Sequence, residues 1–179
     1  MLSEQELRKS IIEKRKRFTI DVKQYNLING LITKNVKALV ERFSPRAVML
    51  YLPINGEVDI TGITEIPIKF YVPVTHGVDI RPAEYTPDTP MKAGEFGVSV
   101  PADPVYTDKN NIDLVIVPAV AVDRQKNRIG YGKGCYDRFL ADMDCIKAAV
   151  CFNFQVVDEL MPKPHDIKMD YIITESGCF

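Results

Sequence analysis

The sequence has no tryptophan, two histidines and four cysteines, and no cysteine pair reads C-x-x-C. Structural zinc sites need Cys and His at short, fixed spacings. His76, His165, Cys135, Cys145, Cys151 and Cys178 are scattered, so neither a zinc site nor a disulfide frame is expected. Idle or buried thiols suit a reducing compartment. No run of 18 apolar residues occurs, and the charged N-terminus lacks an apolar signal core. A membrane-spanning helix and a secretory leader are therefore not expected, and a cytoplasmic location is. Charge of one sign is not in excess: 23 basic against 24 acidic residues give a net charge of -1. That balance argues against a general nucleic-acid or membrane-surface binder, although "RKSIIEKRKRF" (8–18) is locally basic. Repeats, low-complexity linkers and Ser/His/Asp or Cys/His arrangements are missing as well.

The 179 residues are 46% hydrophobic and 26% charged, which fits one soluble domain over 1–179. Leu7, Ile11, Ile12 and Phe18 have helical spacing. Leu27, Ile28, Leu31, Ile32, Val36, Leu39, Val40 and Phe43 extend a 3.6-residue stripe. Two helices are thus predicted within 4–43, ending before Pro45, with Thr19 as the second N-cap and Asp21 in its first turn. Strands are predicted at 47–52, 68–73, 112–118, 147–152 and 171–174. Of these "IDLVIVP" (112–118) is the clearest, a β-branched run suited to a central parallel strand. Residues 134–143 and 155–161 read as short helices. The Pro- and Gly-rich stretch 74–111 reads as long loops carrying function or short irregular strands. Strands alternating with helices give an α/β class. In such sheets ligands gather at the carboxyl ends of strands, which points to residues 119–137.

That segment contains "RIGYGKGCYDRF" (128–139). It is not a Walker loop, since Lys133 is followed by Gly134 rather than a hydroxyl residue, and Cys135 breaks the dinucleotide fingerprint. Its physics still favours an anion. Gly130, Gly132 and Gly134 permit positive φ and close backbone approach, so that successive N–H groups form a nest. Arg128 and Lys133 add full charge, and Asp137 is a carboxylate of the kind magnesium prefers. The alternative is a plain tight turn with Arg128 and Lys133 solvated and Asp137 capping a helix.

Three further stretches, "LYLPINGEVDI" (50–60), "FNFQVV" (152–157) and "PHDIKMDYIITE" (164–175), accompany the run D-x-V-x-V-P…D…R-x-G-x-G-x-G-x-Y-D. In this order and spacing the chain resembles the 5-formyltetrahydrofolate cyclo-ligase (methenyltetrahydrofolate synthetase) family over most of its length. The resemblance implies a three-layer α/β/α domain with a mixed, largely parallel sheet and a helical N-terminus. It implies a carbon–nitrogen cyclo-ligase that closes 5-formyltetrahydrofolate to 5,10-methenyltetrahydrofolate with ATP and Mg2+, releasing ADP and phosphate. It also implies roles. Arg8, Arg128, Gly130, Tyr131, Gly132, Lys133, Gly134, Cys135 and Tyr136 would bind ATP, with Arg128 and Lys133 neutralising its phosphates during catalysis. Asp137 and Asp166 would be metal-associated, while Leu52 and Glu57 would contact the folate. Small molecules are then the expected partners, and a monomer or homodimer the expected state.

Several positions depart from the family pattern. Glu4 stands where a lysine is usual, Ala119 where glycine is, and Cys135 where a tyrosine precedes Tyr136. "FGVSVPADP" (96–104) blurs a G-I-x-E-P element. Only "VDITGITEIP" (58–67) separates Glu57 from the second strand, short for a parallel crossover. Either that crossover is a truncated turn or the strands pair differently, and a missing helix would open a sheet face to a dimer partner. These departures keep open an alternative, a nucleotide-binding paralogue that acts on another substrate or lacks activity.

Overall fold

The computed structural model describes residues 3–179. Helix α1 (Glu4–Phe18) starts in a capping box: the Ser3 hydroxyl accepts from the Glu6 N–H, and the Glu6 carboxylate accepts from the Ser3 N–H. Helix α2 (Val22–Phe43) is capped by Asp21, whose carboxylate accepts from the Gln24 N–H. Thr19 instead closes α1. The predicted N-cap is therefore two residues early, because Asp and Thr both suit that position and only the chain reversal decides between them. Ser44, in the left-handed region, ends α2 before Pro45. Ile32, Val36, Leu39 and Val40 are buried as the stripe requires, whereas Leu27 and Leu31 are exposed.

The strands are β1 (Ala47–Met49), β2 (Lys69–His76), β3 (Asp79–Tyr85), β4 (Met91–Ala93), β5 (Ser99–Pro101), β6 (Leu114–Pro118), β7 (Ala121–Asp123), β8 (Arg128–Ile129), β9 (Ile146–Val150), β10 (Val156–Val157), β11 (Tyr171–Thr174) and β12 (Gly177–Cys178). A third helix, α3, covers Cys135–Leu140. The main sheet has seven strands in the order β12-β11-β9-β6-β1-β2-β3. Its five inner strands are parallel, and β3 and β12 are antiparallel edges. The class is thus α/β with a mixed, largely parallel sheet. A small sheet, β10-β7-β8, and the hairpin β4-β5 flank it. The 155–161 segment is extended at β10, not helical: Val156 and Val157 pair with Val122 and Asp123. Two adjacent β-branched residues favour that ladder over a one-turn helix.

Alternate residues of the inner strands feed two cores, as a sheet covered on both faces demands. Val48, Leu114, Ile116 and Val150 meet α2, while Met49, Val115, Val117 and Ala149 meet Phe139, Leu140 and Met143 beneath α3. One face is covered by a long helix and the other by a six-residue helix and irregular segments. Helix α1 lies apart, with Leu7, Ile11 and Ile12 on Val120, Ala121 and Ile129 of the small sheet. The short crossover is a truncated 3-10 turn, Thr61–Glu65, and β1 and β2 still pair in parallel. Val58, Ile60 and Ile63 from this stretch are buried with α2, so no open sheet face remains there.

Candidate active site

A cleft lies at the carboxyl ends of β1, β2 and β6. Leu52, Thr75 and Pro118 line it there, and its volume is about 360 Å³, within the range of small-molecule sites. Residues 128–137 form one wall, the turn through Asn55 and Glu57 another, and Arg8 with residues 160–166 the rim. All the residues predicted for ATP, folate and metal thus meet in one place: Arg8, Leu52, Glu57, Arg128, the stretch Gly130–Asp137, and Asp166.

In the glycine loop the three glycines answer two different demands. Gly132 and Gly134 have φ of +93° and +66°, a region that disfavours side chains. Gly130 does not need positive φ, contrary to expectation. A Cβ there would come within 2.7 Å of Arg128 Nη1, so it is glycine for space. Gly134 caps α3 in the left-handed conformation.

Arg128 is buried rather than solvated. Its Nη1 donates to the Pro118 carbonyl at 3.3 Å, and its Nη2 donates to both oxygens of Asp137 at 3.3 and 3.2 Å. Asp137 Oδ1 also accepts from the Ile167 N–H. The plain-turn alternative fails for these two residues, since Asp137 anchors Arg128 instead of capping a helix. Lys133 is exposed, with its ammonium 4.3 Å from the ring centre of Phe96. Phe96 itself holds φ +57°, which is uncommon for an aromatic residue. Asp166 turns its carboxylate to the Lys163 N–H at 2.7 Å. Arg8 donates from Nε to the Gly130 carbonyl and from Nη2 to Glu4, whose other oxygen takes Lys163 Nζ at 2.9 Å. Glu4 therefore ties two cations to the cleft rim.

Glu57 is 4% exposed. Its Oε2 accepts from the Ile54 N–H and its Oε1 from the Tyr131 hydroxyl, both at 3.0 Å. Burial raises its pKa, while the Arg15 guanidinium at 3.8 Å and these two donors oppose the rise. Arg15 is fully buried. It lies inside the basic run and was not foreseen. The signal was available: Arg8, Ile11, Ile12, Arg15 and Phe18 share one helical face, so Arg15 sits in the apolar stripe rather than opposite it. Asn127, Tyr51 and Phe96 also line the cleft without a motif to mark them. Cys135 opens α3, and burial pushes its thiol pKa up against the pull of Arg138 and Lys133. It stands as a small neutral residue rather than an activated thiol.

Among the described residues, three buried side-chain polar atoms lack a partner: Asn127 Oδ1, Arg128 Nε and the Tyr136 hydroxyl. All three belong to residues lining this cleft. Native proteins rarely leave such buried atoms without a protein or water partner, and all three lie behind the wall of one cleft.

The chain matches the model of the 5-formyltetrahydrofolate cyclo-ligase family over residues 1–175. The 5-formyltetrahydrofolate cyclo-ligase of Mycolicibacterium smegmatis is 30% identical over 147 residues, covering 74% of this chain and 75% of that protein. The Haemophilus influenzae cyclo-ligase is 28% identical over 150 residues, covering 77% and 80%. The NMR structure of Aquifex aeolicus 5,10-methenyltetrahydrofolate synthetase superposes with a TM-score of 0.85 at 30% identity, over 99% of this chain and 92% of that one. A 5,10-methenyltetrahydrofolate synthetase from Mycoplasma pneumoniae shares the fold at a TM-score of 0.79 and 22% identity, over 97% and 99%. With residues 1–175 matched by the family model and the fold shared with a 30% identical synthetase, the chain belongs to the 5-formyltetrahydrofolate cyclo-ligase family.

Proposed function

We propose that this protein closes 5-formyltetrahydrofolate to 5,10-methenyltetrahydrofolate at the expense of ATP, with magnesium, in the cytoplasm. The observation that carries the proposal is the meeting in one cleft of the glycine loop with Lys133, the rim residue Arg8 and the buried carboxylate Glu57. The loop suits a polyphosphate: backbone N–H groups form the cradle, and Arg8, Arg128 and Lys133 surround it. Leu52 offers an apolar wall for a pterin, and Glu57 an acceptor for its N–H groups.

The reaction needs no protein nucleophile. The formyl oxygen attacks the γ-phosphorus of ATP and the bond to ADP breaks. N10 of the folate then attacks the formyl carbon and loses its proton, and the carbon–oxygen bond to phosphate breaks. The protein positions the two substrates and balances charge as it moves, which is the main work in phosphoryl transfer. Asp137 and Asp166 would be the carboxylates to hold magnesium, with water and phosphate oxygens completing its shell. Among the described residues no cluster of three metal-ligating side chains occurs, and Asp137 would exchange its contact with Arg128 for the ion. Bound there, the ion would neutralise phosphate charge.

The test mixes purified protein with 5-formyltetrahydrofolate, ATP and magnesium and follows the methenyl chromophore. Formation should require all three components and fall at least ~100-fold in Lys133→Ala and Asp137→Ala, as for other charge-stabilising groups. Tight ATP binding without turnover would instead favour a nucleotide-binding paralogue.

A further inference from the structure

Arg15 is a fully buried charge, and no step above uses it. Its three guanidinium nitrogens reach three separate segments. Nε donates to the Asn55 carbonyl at 3.0 Å, in the turn that carries Glu57. Nη1 donates to the Ala119 carbonyl at 3.3 Å, just beyond β6. Nη2 donates to the Tyr131 hydroxyl in the glycine loop. That hydroxyl then has its own proton free for Glu57 Oε1, 3.0 Å away. The chain of donors runs in one direction, from guanidinium through phenol to carboxylate. An arginine cannot release its proton here, so the direction is fixed.

We infer that Arg15 is a positioning residue that, through Tyr131, joins the folate carboxylate Glu57 to the ATP loop, so that binding of one substrate prepares the site of the other. The inference rests on the reading of Glu57 as a folate contact and of residues 128–137 as the ATP loop. A ligand that draws on Glu57 pulls the Tyr131 hydroxyl with it, and the loop between Gly130 and Gly132 follows. A ligand that orders the loop fixes the Glu57 oxygen in return. Such coupling is reciprocal in binding free energy and typically amounts to about 5- to 150-fold.

The experiment measures binding of a non-hydrolysable ATP analogue with and without saturating 5-formyltetrahydrofolate, and the converse. Wild type should show the same several-fold tightening in both directions. Tyr131→Phe keeps the ring and loses the hydroxyl; whatever its effect on either affinity alone, the ratio of affinities with and without the other ligand should fall to about one. Arg15→Lys keeps the charge without the fork and should lose the coupling too. Its melting curve is read alongside, and Tyr131→Phe decides the matter if Arg15→Lys does not fold. A purely structural role would lower melting temperature and leave the coupling intact. Unchanged coupling in Tyr131→Phe, or none in a wild type that turns over, overturns the inference while leaving the proposed activity standing. Failure of wild type to bind 5-formyltetrahydrofolate at all removes the activity and the inference together.

Discussion

At the scale of single residues, the site turns on close fits and on one displaced proton affinity. Gly130→Ala would place a methyl group 2.7 Å from Arg128 Nη1, and the guanidinium is held by Pro118 and Asp137. The Arg128–Asp137 pair should open, and affinity for an ATP analogue should fall by roughly tenfold, or about 1.4 kcal/mol, with little loss of melting temperature. Glu57 gives a pH signature. Its folded pKa lies above the ordinary glutamate value because it is buried, among Arg15, Tyr25, Tyr51, Tyr131 and Tyr136. With Glu57 as the proposed folate acceptor, folate binding should weaken as pH falls through that raised pKa, earlier than for an exposed glutamate. Stability has the opposite sign. A carboxyl with a raised folded pKa contributes most below its unfolded pKa, and that contribution is lost as pH rises through the folded one. Glu57→Gln should therefore bind folate poorly, and its stability relative to wild type should improve as pH rises, which calorimetry at two pH values reads.

At the scale of elements, the shortened crossover carries more of the fold than its length suggests. Ile63, in the 3-10 turn Thr61–Glu65, is fully buried against α2. Ile63→Ala should cost about 2–5 kcal/mol in denaturant unfolding, the usual range for a large-to-small change in a core. The inner strands were legible because continuous β-branched runs such as "IDLVIVP" have little else to be, and α2 was legible from its stripe. The glycine loop and its charges were legible from spacing. What stayed hidden has physical reasons. The 155–161 segment is too short for periodicity to separate a strand from a helix, and only its partner Val122 decides. The inward turn of Arg15 conflicts with the habit of reading a basic run as solvated. Its partners stand 40, 104 and 116 residues away, beyond the reach of any local pattern. The Arg128–Asp137 pairing is likewise a product of the fold, since spacing alone suggested two independent ligands.

At the scale of the whole molecule, the two large cores share the same strands, Val48 facing one and Met49 the other. Neither can lose its packing without exposing the back of the other. The chain should therefore unfold as one unit, in a single calorimetric transition with equal van't Hoff and calorimetric enthalpies. Two transitions would split the domain. A ligand that binds only the folded state should raise that transition, by about 2.7 kcal/mol at a hundred times its dissociation constant. No helix among the described residues is long and apolar enough to cross a membrane. The basic run at the N-terminus buries Arg15 and pairs Arg8 with Glu4 at the cleft rim, so its outward charge is smaller than the sequence implies.

The contact between Lys133 and Phe96 has a consequence for timing. An ammonium over an exposed ring is held by about 0.5–1 kcal/mol, so leaving it lowers phosphate affinity by a factor of about five at most. Exposed side chains change rotamer in picoseconds to nanoseconds, far faster than typical turnover at roughly 10 per second. Leaving the ring would therefore not limit the proposed reaction. Lys133 and Phe96 both line the cleft, so the ring holds the ammonium at its wall.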